Sequence, residues 1–476
     1  MKNVVLITVA LLVSSHAFFV HGSVSKSVRH GMKRVSREGL VRTQMQADAQ
    51  PDNFDGKVTS GSLNLAKNVL GAGVLSLSSG VAFFTDMTSG LAPACLLTGV
   101  MGMASSNSFK IIGEMCAKTN SETLQETWTK LVGPGAELVG ASVTSLTFMA
   151  ALAYSIILAD SVASLGVTFN APVVLQQRNN CLLAVTSLVL LPLCSMKSLA
   201  ALAPFSVLGL IGVLYTAVMM FIRLTDRSYA VGGVFFDTIA ANAQPSFAKK
   251  GTSIAKTLVL TSMLATNYIC HYNAPRFLNE IKVASMGQTL RRYNKMADLG
   301  FLISIFFSML MMLLGFLTFG GNAMGFVLNN YASSDALASF SRFAIATALL
   351  TSYPLAFLAL RDGVFDFFKV DTKARDALHY PATIAILGML TSLAFVLKDV
   401  GFVVSIAGAL FGSMLIFGIP YILKNAFVRK GAKNEGRSLS SQENKEILVN
   451  RGMMGTGAIL GVLGVYISIM MQVGKL

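Results

Sequence analysis

A chain of 476 residues that is 53% hydrophobic and 13% charged has about half the charged fraction, roughly 25%, of a soluble domain. A water-soluble fold of this size is excluded, because it would lack the polar groups to cover its surface. The net charge of +15 does not point to nucleic acid: the basic residues are spread among short segments between apolar blocks, and no aromatic-interleaved basic domain is there to hold a polynucleotide.

Residues 1–17 carry Lys2, an apolar core from Val4 to Val13 and a small-residue end at Ser15-His16-Ala17, the pattern of a signal peptide. Residues 18–57 form a basic tail with Lys26, Arg29, Lys33, Arg34, Arg37 and Arg42, the composition of an organellar transit peptide or of a disordered basic tail. Ala17 followed by Phe18 at the expected cleavage point is similar to the two-part plastid presequences of algae. A plastid envelope is therefore one expected address, beside the plasma membrane and an endomembrane or vacuole.

Downstream, hydropathy predicts eleven spanning helices at about 58–84, 88–109, 136–165, 181–196, 199–223, 254–282, 299–319, 337–360, 379–397, 401–424 and 453–473, most of them near the ~20 residues that cross a ~30 Å hydrocarbon core. The expected class is an all-α, multi-pass membrane protein whose transmembrane domain covers 58–473. The polar segments 224–253 and 425–452 are the two long interruptions, the second expected to be a flexible loop on the inside. Lysine and arginine concentrate on the segments that share a side with residue 57, from Lys110 through Arg291 and Arg375 to Arg451. Such residues resist translocation, which sets the N-terminus inside and the C-terminus outside.

In the first predicted span Asn64, Lys67, Asn68 and Gly71 fall at i, i+3, i+4 and i+7 and share one helical face. A polar stripe on a spanning helix must face protein or a water-filled cavity. Gly71-Ala72-Gly73 is where this helix can unwind and offer backbone groups to a carboxylate and a cation; the alternative is a close-packed Gly-x-Gly contact between helices. The sixth predicted span is too long for a straight crossing and runs through Asn267, His271 and Asn273 to Pro275, which lacks the N–H that would bond one turn back. It is expected to break upstream of that proline. Two breaks five helices apart are the signature of transporters with inverted repeats. His271 is either a titrating group for proton coupling or a neutral histidine hydrogen-bonded at an interface.

In the eighth span, Thr347, Thr351, Ser352 and Tyr353 precede Pro354. Their hydroxyls either complete an oxygen cage for a small cation or bond their own helix backbone. Asp160, a lone carboxylate near a helix end, reads as an interface anchor. The five cysteines, Cys95, Cys116, Cys181, Cys194 and Cys270, show no CxxC or Cys/His spacing and suggest neither a disulfide framework nor a metal site. No HExxH, GxSxG or paired intramembrane carboxylates support an enzyme, and no cofactor is expected.

Four separated segments carry a resemblance: Asn64 to Leu77, Cys270 to Glu280, Ser352-Tyr-Pro-Leu355 with Arg361, and Ile406-Ala-Gly-Ala-Leu-Phe-Gly412 with Pro420. Together they resemble the amino acid/auxin permease family, including its algal members and its vesicular and neutral amino acid transporters. The resemblance implies a fold similar to the bacterial leucine transporter, with two inverted five-helix repeats, broken first and sixth helices, and one extra C-terminal helix. It implies proton- or sodium-coupled transport of amino acids, neutral ones first, by a single chain in a lipid bilayer. An amino acid sensor, or a carrier of another small solute such as an auxin-like acid, is the alternative. The expected substrate-binding set is Gly71, Ala72, Gly73, Tyr154, Thr266 and Asn267. The expected ion-coupling set is Asn68, Thr351 and Ser352, with Lys67 as a cation that would stand in for bound sodium and His271 as the titrating group. One departure stands out: Ser78 occupies a place where the family has proline, which leaves the shape of the first helix open.

Overall fold

In hydrocarbon the backbone has no water to bond with, so a chain this apolar must satisfy its N–H and C=O groups within helices. A computed structural model describes residues 54–196, 207–247 and 254–473; the signal-like residues 1–17 and the basic tail up to residue 53 lie outside these. Apart from one isolated bridge between Ser246 and Gly320, the regular structure of the described residues is helical.

In chain order the helices are α1 (Phe54–Val69), α2 (Leu77–Phe84), α3 (Leu91–Thr119), α4 (Leu124–Leu131), α5 (Ala136–Thr168), α6 (Arg178–Val185), α7 (Leu191–Cys194), α8 (Val207–Thr225), α9 (Ile254–Asn267), α10 (Ala274–Glu280), α11 (Met286–Phe319), α12 (Ala336–Phe367), α13 (Thr372–Val396), α14 (Val400–Ala407), α15 (Ile419–Asn434) and α16 (Ser441–Gln472). A π-helical turn at Thr186–Leu190 joins α6 to α7, and a longer π run, Gly408–Gly418, joins α14 to α15. Among the described residues six helices are long and apolar enough to cross a membrane, and the pair Gly56–Val69 and Gly73–Phe84, bent by 49°, makes a seventh span.

Several elements extend past the predicted limits for one reason: a helix does not end where the hydrocarbon does. The predicted span 299–319 is the end of α11, which starts at Met286 and carries Arg291, Arg292 and Lys295 in its first turns. Hydropathy reads those charges as loop, although in water they are as compatible with helix as any polar residue. The same reason corrects the expected flexible loop at 425–452. Most of it is the end of α15 and the start of α16, and the connection between them is closed by a capping box in which the Ser440 hydroxyl accepts from the Glu443 amide at 3.2 Å and the Glu443 carboxylate accepts from the Ser440 amide at 2.8 Å. The Arg437 guanidinium, hydrogen-bonded to the Glu443 carboxylate, and the Ser440 amide hold that carboxyl down to about 2. The amphipathic α4 is unpredicted; its N-cap Thr123 accepts from Glu126 N at 3.1 Å.

Two groups of helices pack around a seam. α1, α2, α3, α9 and α11 form one, with α11 lying against α1 and α3 and α9 against α2; α5, α6, α8, α12 and α13 form the other, in which α12 lies along α5 and α8. Small residues bring the first group close: Gly300 of α11 sits under Leu65, and Gly315 under Ser78. Ser78, at the place where the resemblance led us to expect proline, is buried and donates to the Met311 carbonyl of α11 at 3.2 Å. A hydroxyl tie to a neighbouring helix thus occupies that position.

Candidate solute-binding site

The seam is hollow where the first and sixth predicted spans come apart. In the first, Leu70 N still bonds back to Ala66 O at 2.7 Å and Gly71 N to Val69 O at 2.8 Å. Gly71 then turns extended (φ −84°, ψ −168°), and a 3-10 turn restarts at Ala72–Ser76. The amides that open this turn, those of Ala72 and Gly73, have no acceptor inside it. A Cβ on Gly71 or Gly73 would meet nothing within 4 Å, so the close-packing alternative has no neighbour to pack against. In the sixth, α9 ends at Asn267, a 3-10 turn covers His271–Asn273, and Pro275 sits at the start of α10, where its missing N–H is not needed. The break upstream of Pro275 is as expected.

Both breaks open onto one cavity of about 120 Å³, small beside the ~300–1,000 Å³ of drug-sized clefts. Asn68, Val69, Gly71 and Gly73 line it from the first break, and Thr266, Asn267, Ile269 and Tyr272 from the second. α5 supplies Leu146, Thr147, Met149, Ala150, Ala153, Tyr154 and Ile157, and α14 supplies Val400, Val404 and Ala407. No lining side chain is charged. The two breaks are tied by Asn273 Nδ2 donating to Asn68 Oδ1 at 3.2 Å. The Thr266 hydroxyl donates to Val404 O at 2.6 Å, which spends it on fixing α9 to α14. Asn267 Nδ2 donates to Ser308 Oγ at 2.8 Å, while its Oδ1 is buried without a partner.

The structure therefore gathers Asn68, Gly71, Gly73, Tyr154, Thr266 and Asn267 around one cavity, with Ala72 between the two lining glycines. Lys67 is half-buried on α1 and does not line it. Thr351 and Ser352 lie on α12, outside the lining; the Thr351 hydroxyl donates to Ala348 O at 2.8 Å within its own helix. Of the two arrangements expected for these hydroxyls, the bond to their own helix backbone is present at Thr351. His271 is fully buried behind the second break, its Nε2 2.7 Å from Ser108 Oγ.

Tyr272 was passed over in the sequence although it sits in the quoted motif, three residues before Pro275. It lines the cavity and also a second hollow of about 280 Å³, walled by α4, the start of α5 and the end of α12, with Glu137, Asp362 and Asp366 on its sides. Tyr272 thus partitions the chamber from a vestibule at that end of the molecule.

The opposite end carries a polar tie. One turn beyond the lining residue Ile157, Asp160 accepts from Arg178 Nε at 2.6 Å and from Asn329 Nδ2 at 2.8 Å, and Arg178 Nη1 donates to Ala394 O at 2.9 Å. Instead of the expected lone anchor, Asp160 is an ion-paired carboxylate with a side chain 10% exposed, because Arg178, just past the next turn, folds back onto it. Asp160→Ala is expected to lower the unfolding midpoint in detergent, by up to the ~3 kcal/mol at the low end for breaking a buried pair. Replacing Arg178 by Leu in the same chain should return most of that loss, since no unpaired charge remains; an unchanged midpoint in Asp160→Ala would show that the pair contributes nothing.

A family model described as transmembrane amino acid transporter protein matches residues 55–469. The chain is 24% identical over 423 residues to vacuolar amino acid transporter 5 of Schizosaccharomyces pombe, covering 87% of this chain and 94% of that one. It is 23% identical over 363 residues to a Bos taurus protein provisionally named sodium-coupled neutral amino acid transporter 11, covering 75% and 73%. Among solved structures it is similar to MhsT in complex with L-phenylalanine, with a TM-score of 0.51 at 13% identity over 85% of this chain and 98% of that one, a likeness of fold alone.

Proposed function

The chain belongs to the transmembrane amino acid transporter family, and from that premise we propose that it carries a neutral amino acid across its membrane by alternating access, coupled to a cation. The observation that carries this reading is the uncharged cavity between the two helix breaks. A helix start presents free N–H groups and partial positive charge, and a helix end presents free C=O groups and partial negative charge. The amides at Ala72 and Gly73 suit the carboxylate of a zwitterion, and the carbonyl ends of α1 and α9 suit its ammonium. What remains of the lining is aliphatic from α5 and α14, so a charged solute side chain would be left unpaired there, an expensive arrangement in a buried site.

Access alternates if the group containing α1, α3, α9 and α11 rocks against the group containing α5, α6, α12 and α13. The Asp160 tie would close one end, and Tyr272 would gate the vestibule at the other. The count of eleven spans follows if α3, the two shorter apolar helices Arg178–Cys194 and Gly209–Thr225 and the α9–α10 pair also cross. The relatives named vacuolar favour an endomembrane, with the plastid envelope as the competing address. Purified protein in proteoliposomes, supplied with each of the twenty radiolabelled amino acids under an imposed proton or sodium gradient, is expected to accumulate uncharged ones and to reject lysine, arginine, aspartate and glutamate. Uptake of none of the twenty would overturn the reading in favour of a sensor or of another solute.

A further inference from the structure

From the cavity wall into the packing behind the second break, buried polar atoms stand without hydrogen-bond partners among the described residues: Asn267 Oδ1, Tyr268 Oη, Ser105 Oγ and His271 Nδ1. All four residues are under 5% exposed. An interior leaves such atoms unpaired only where strain, function or water accounts for them. All four belong to the seam where α9 and the second break pack on α3. Asn267 lines the solute cavity and donates to Ser308 of α11. The Tyr268 hydroxyl stands beside Ser308 without completing a hydrogen bond. Its ring lies over Gly102 of α3, where a Cβ would come 3.2 Å from Cζ. Ser105 and Ser108 follow at steps of three along α3. His271 Nε2 meets Ser108 Oγ at 2.7 Å, and its Nδ1 is buried without a hydrogen-bond partner among the described residues.

Resting on the transport reading, we propose that His271 binds the co-transported proton, and that Asn267, Ser308, Tyr268 and Ser105, bridged by buried water, conduct it from the solute cavity. The seam is polar enough for such water, which needs two to four hydrogen-bonding partners. Ser108 suits both charge states of the imidazole. In both it accepts from Nε2–H and passes its own hydrogen to Ala104 O at 3.1 Å or Ser105 O at 3.2 Å, which leaves the Nδ1 lone pair of the neutral ring to take the proton. The proton is taken up at Nδ1 from the side to which the cavity opens, and it leaves by the same seam when the cavity opens to the other side.

The titratable groups around His271 are Cys270 and Tyr272 beside it in the break, Tyr268 one turn before, and Tyr293 of α11, which stacks on Phe109, the ring that meets His271 edge-on. Among the described residues no carboxylate is hydrogen-bonded to the imidazole. The partial negative charge at the carbonyl end of α9 favours the imidazolium, and where proton and amino acid prefer the same conformation each raises the affinity for the other, as reciprocity of coupling requires.

The test uses the full chain in proteoliposomes with a transported neutral amino acid. An acid-outside gradient is expected to raise uptake about 10-fold, within the usual range of coupling between two sites. His271→Gln and Tyr268→Phe should lose that stimulation, and an unchanged melting point in detergent together with gradient-free counterflow by Ser105→Ala reports a folded, rocking carrier. Should His271→Gln not fold, Tyr268→Phe and Ser105→Ala, which remove single hydroxyls, decide alone. Full proton stimulation in these variants, or a wild-type chain driven by sodium and indifferent to protons, would overturn the relay while leaving transport standing. Absence of both uptake and counterflow in the wild type would sink the transport reading and the relay with it.

Discussion

Gly71→Leu is expected to reduce amino acid uptake by more than about 100-fold while the protein remains folded, because the side chain would fill the cavity proposed to hold the solute. The backbone at Gly71 is extended, with φ −84°, a conformation open to any residue, so the leucine brings no backbone strain. Its Cβ points into open space, and its side chain enters a cavity of only about 120 Å³. The steric conflict is with the solute, not with the fold. Stability should therefore change within about 0.5 kcal/mol, as for substitutions that disturb no packing, and a symmetrical size-exclusion profile with an unchanged melting point would establish that. Gly71→Ala, adding one methyl, should raise KM and spare the maximal rate. Wild-type uptake in Gly71→Leu would remove the first break from the transport site.

The position of that break could be read from the sequence, and the reason is local. Gly71-Ala72-Gly73 and Pro275 are backbone properties carried by single residues, and they act wherever the chain goes. The lining residues Tyr154, Thr266 and Asn267 were within reach for a related reason: a polar group in a span must face something other than lipid. What could not be read is pairing. Asp160 finds Arg178 18 positions on and Asn329 169 positions on, and nothing in hydropathy announces either. Asn68 accepts from Asn273, 205 positions on, a pairing equally silent in the sequence. Tyr272 shows the limit most directly: its role depends on two cavities that exist only once α4, α5 and α12 are in place. Helix ends were misread because hydropathy marks the hydrocarbon boundary, and α11, α15 and α16 continue past it.

Gly408→Val is the opposite experiment and should destroy the fold. Gly408 and Gly412 stand one turn apart in the segment that carried part of the family resemblance, and both face α9. A Cβ on Gly408 would overlap the Ser262 carbonyl oxygen and press on Thr266 Oγ1 at 2.6 Å; one on Gly412 would reach Ala265 Cβ at 2.8 Å. The obstacle at Gly408 is a helix backbone, which cannot rotate aside as a side chain can. Small residues at such crossings let two membrane helices approach to backbone contact. Here they hold α9, and with it Thr266 and Asn267, against the π run and α14. Overpacking of this kind costs about 3 kcal/mol or more, so Gly408→Val should yield little monodisperse protein and a lowered melting point in what survives. The matched control is Gly388→Ala in α13, where a Cβ meets nothing within 4 Å and the helix should gain up to about 1 kcal/mol. If Gly408→Val folds and transports normally, α9 is not held by this contact. The second half of the site would then owe its position to the Thr266–Val404 hydrogen bond and its other neighbours.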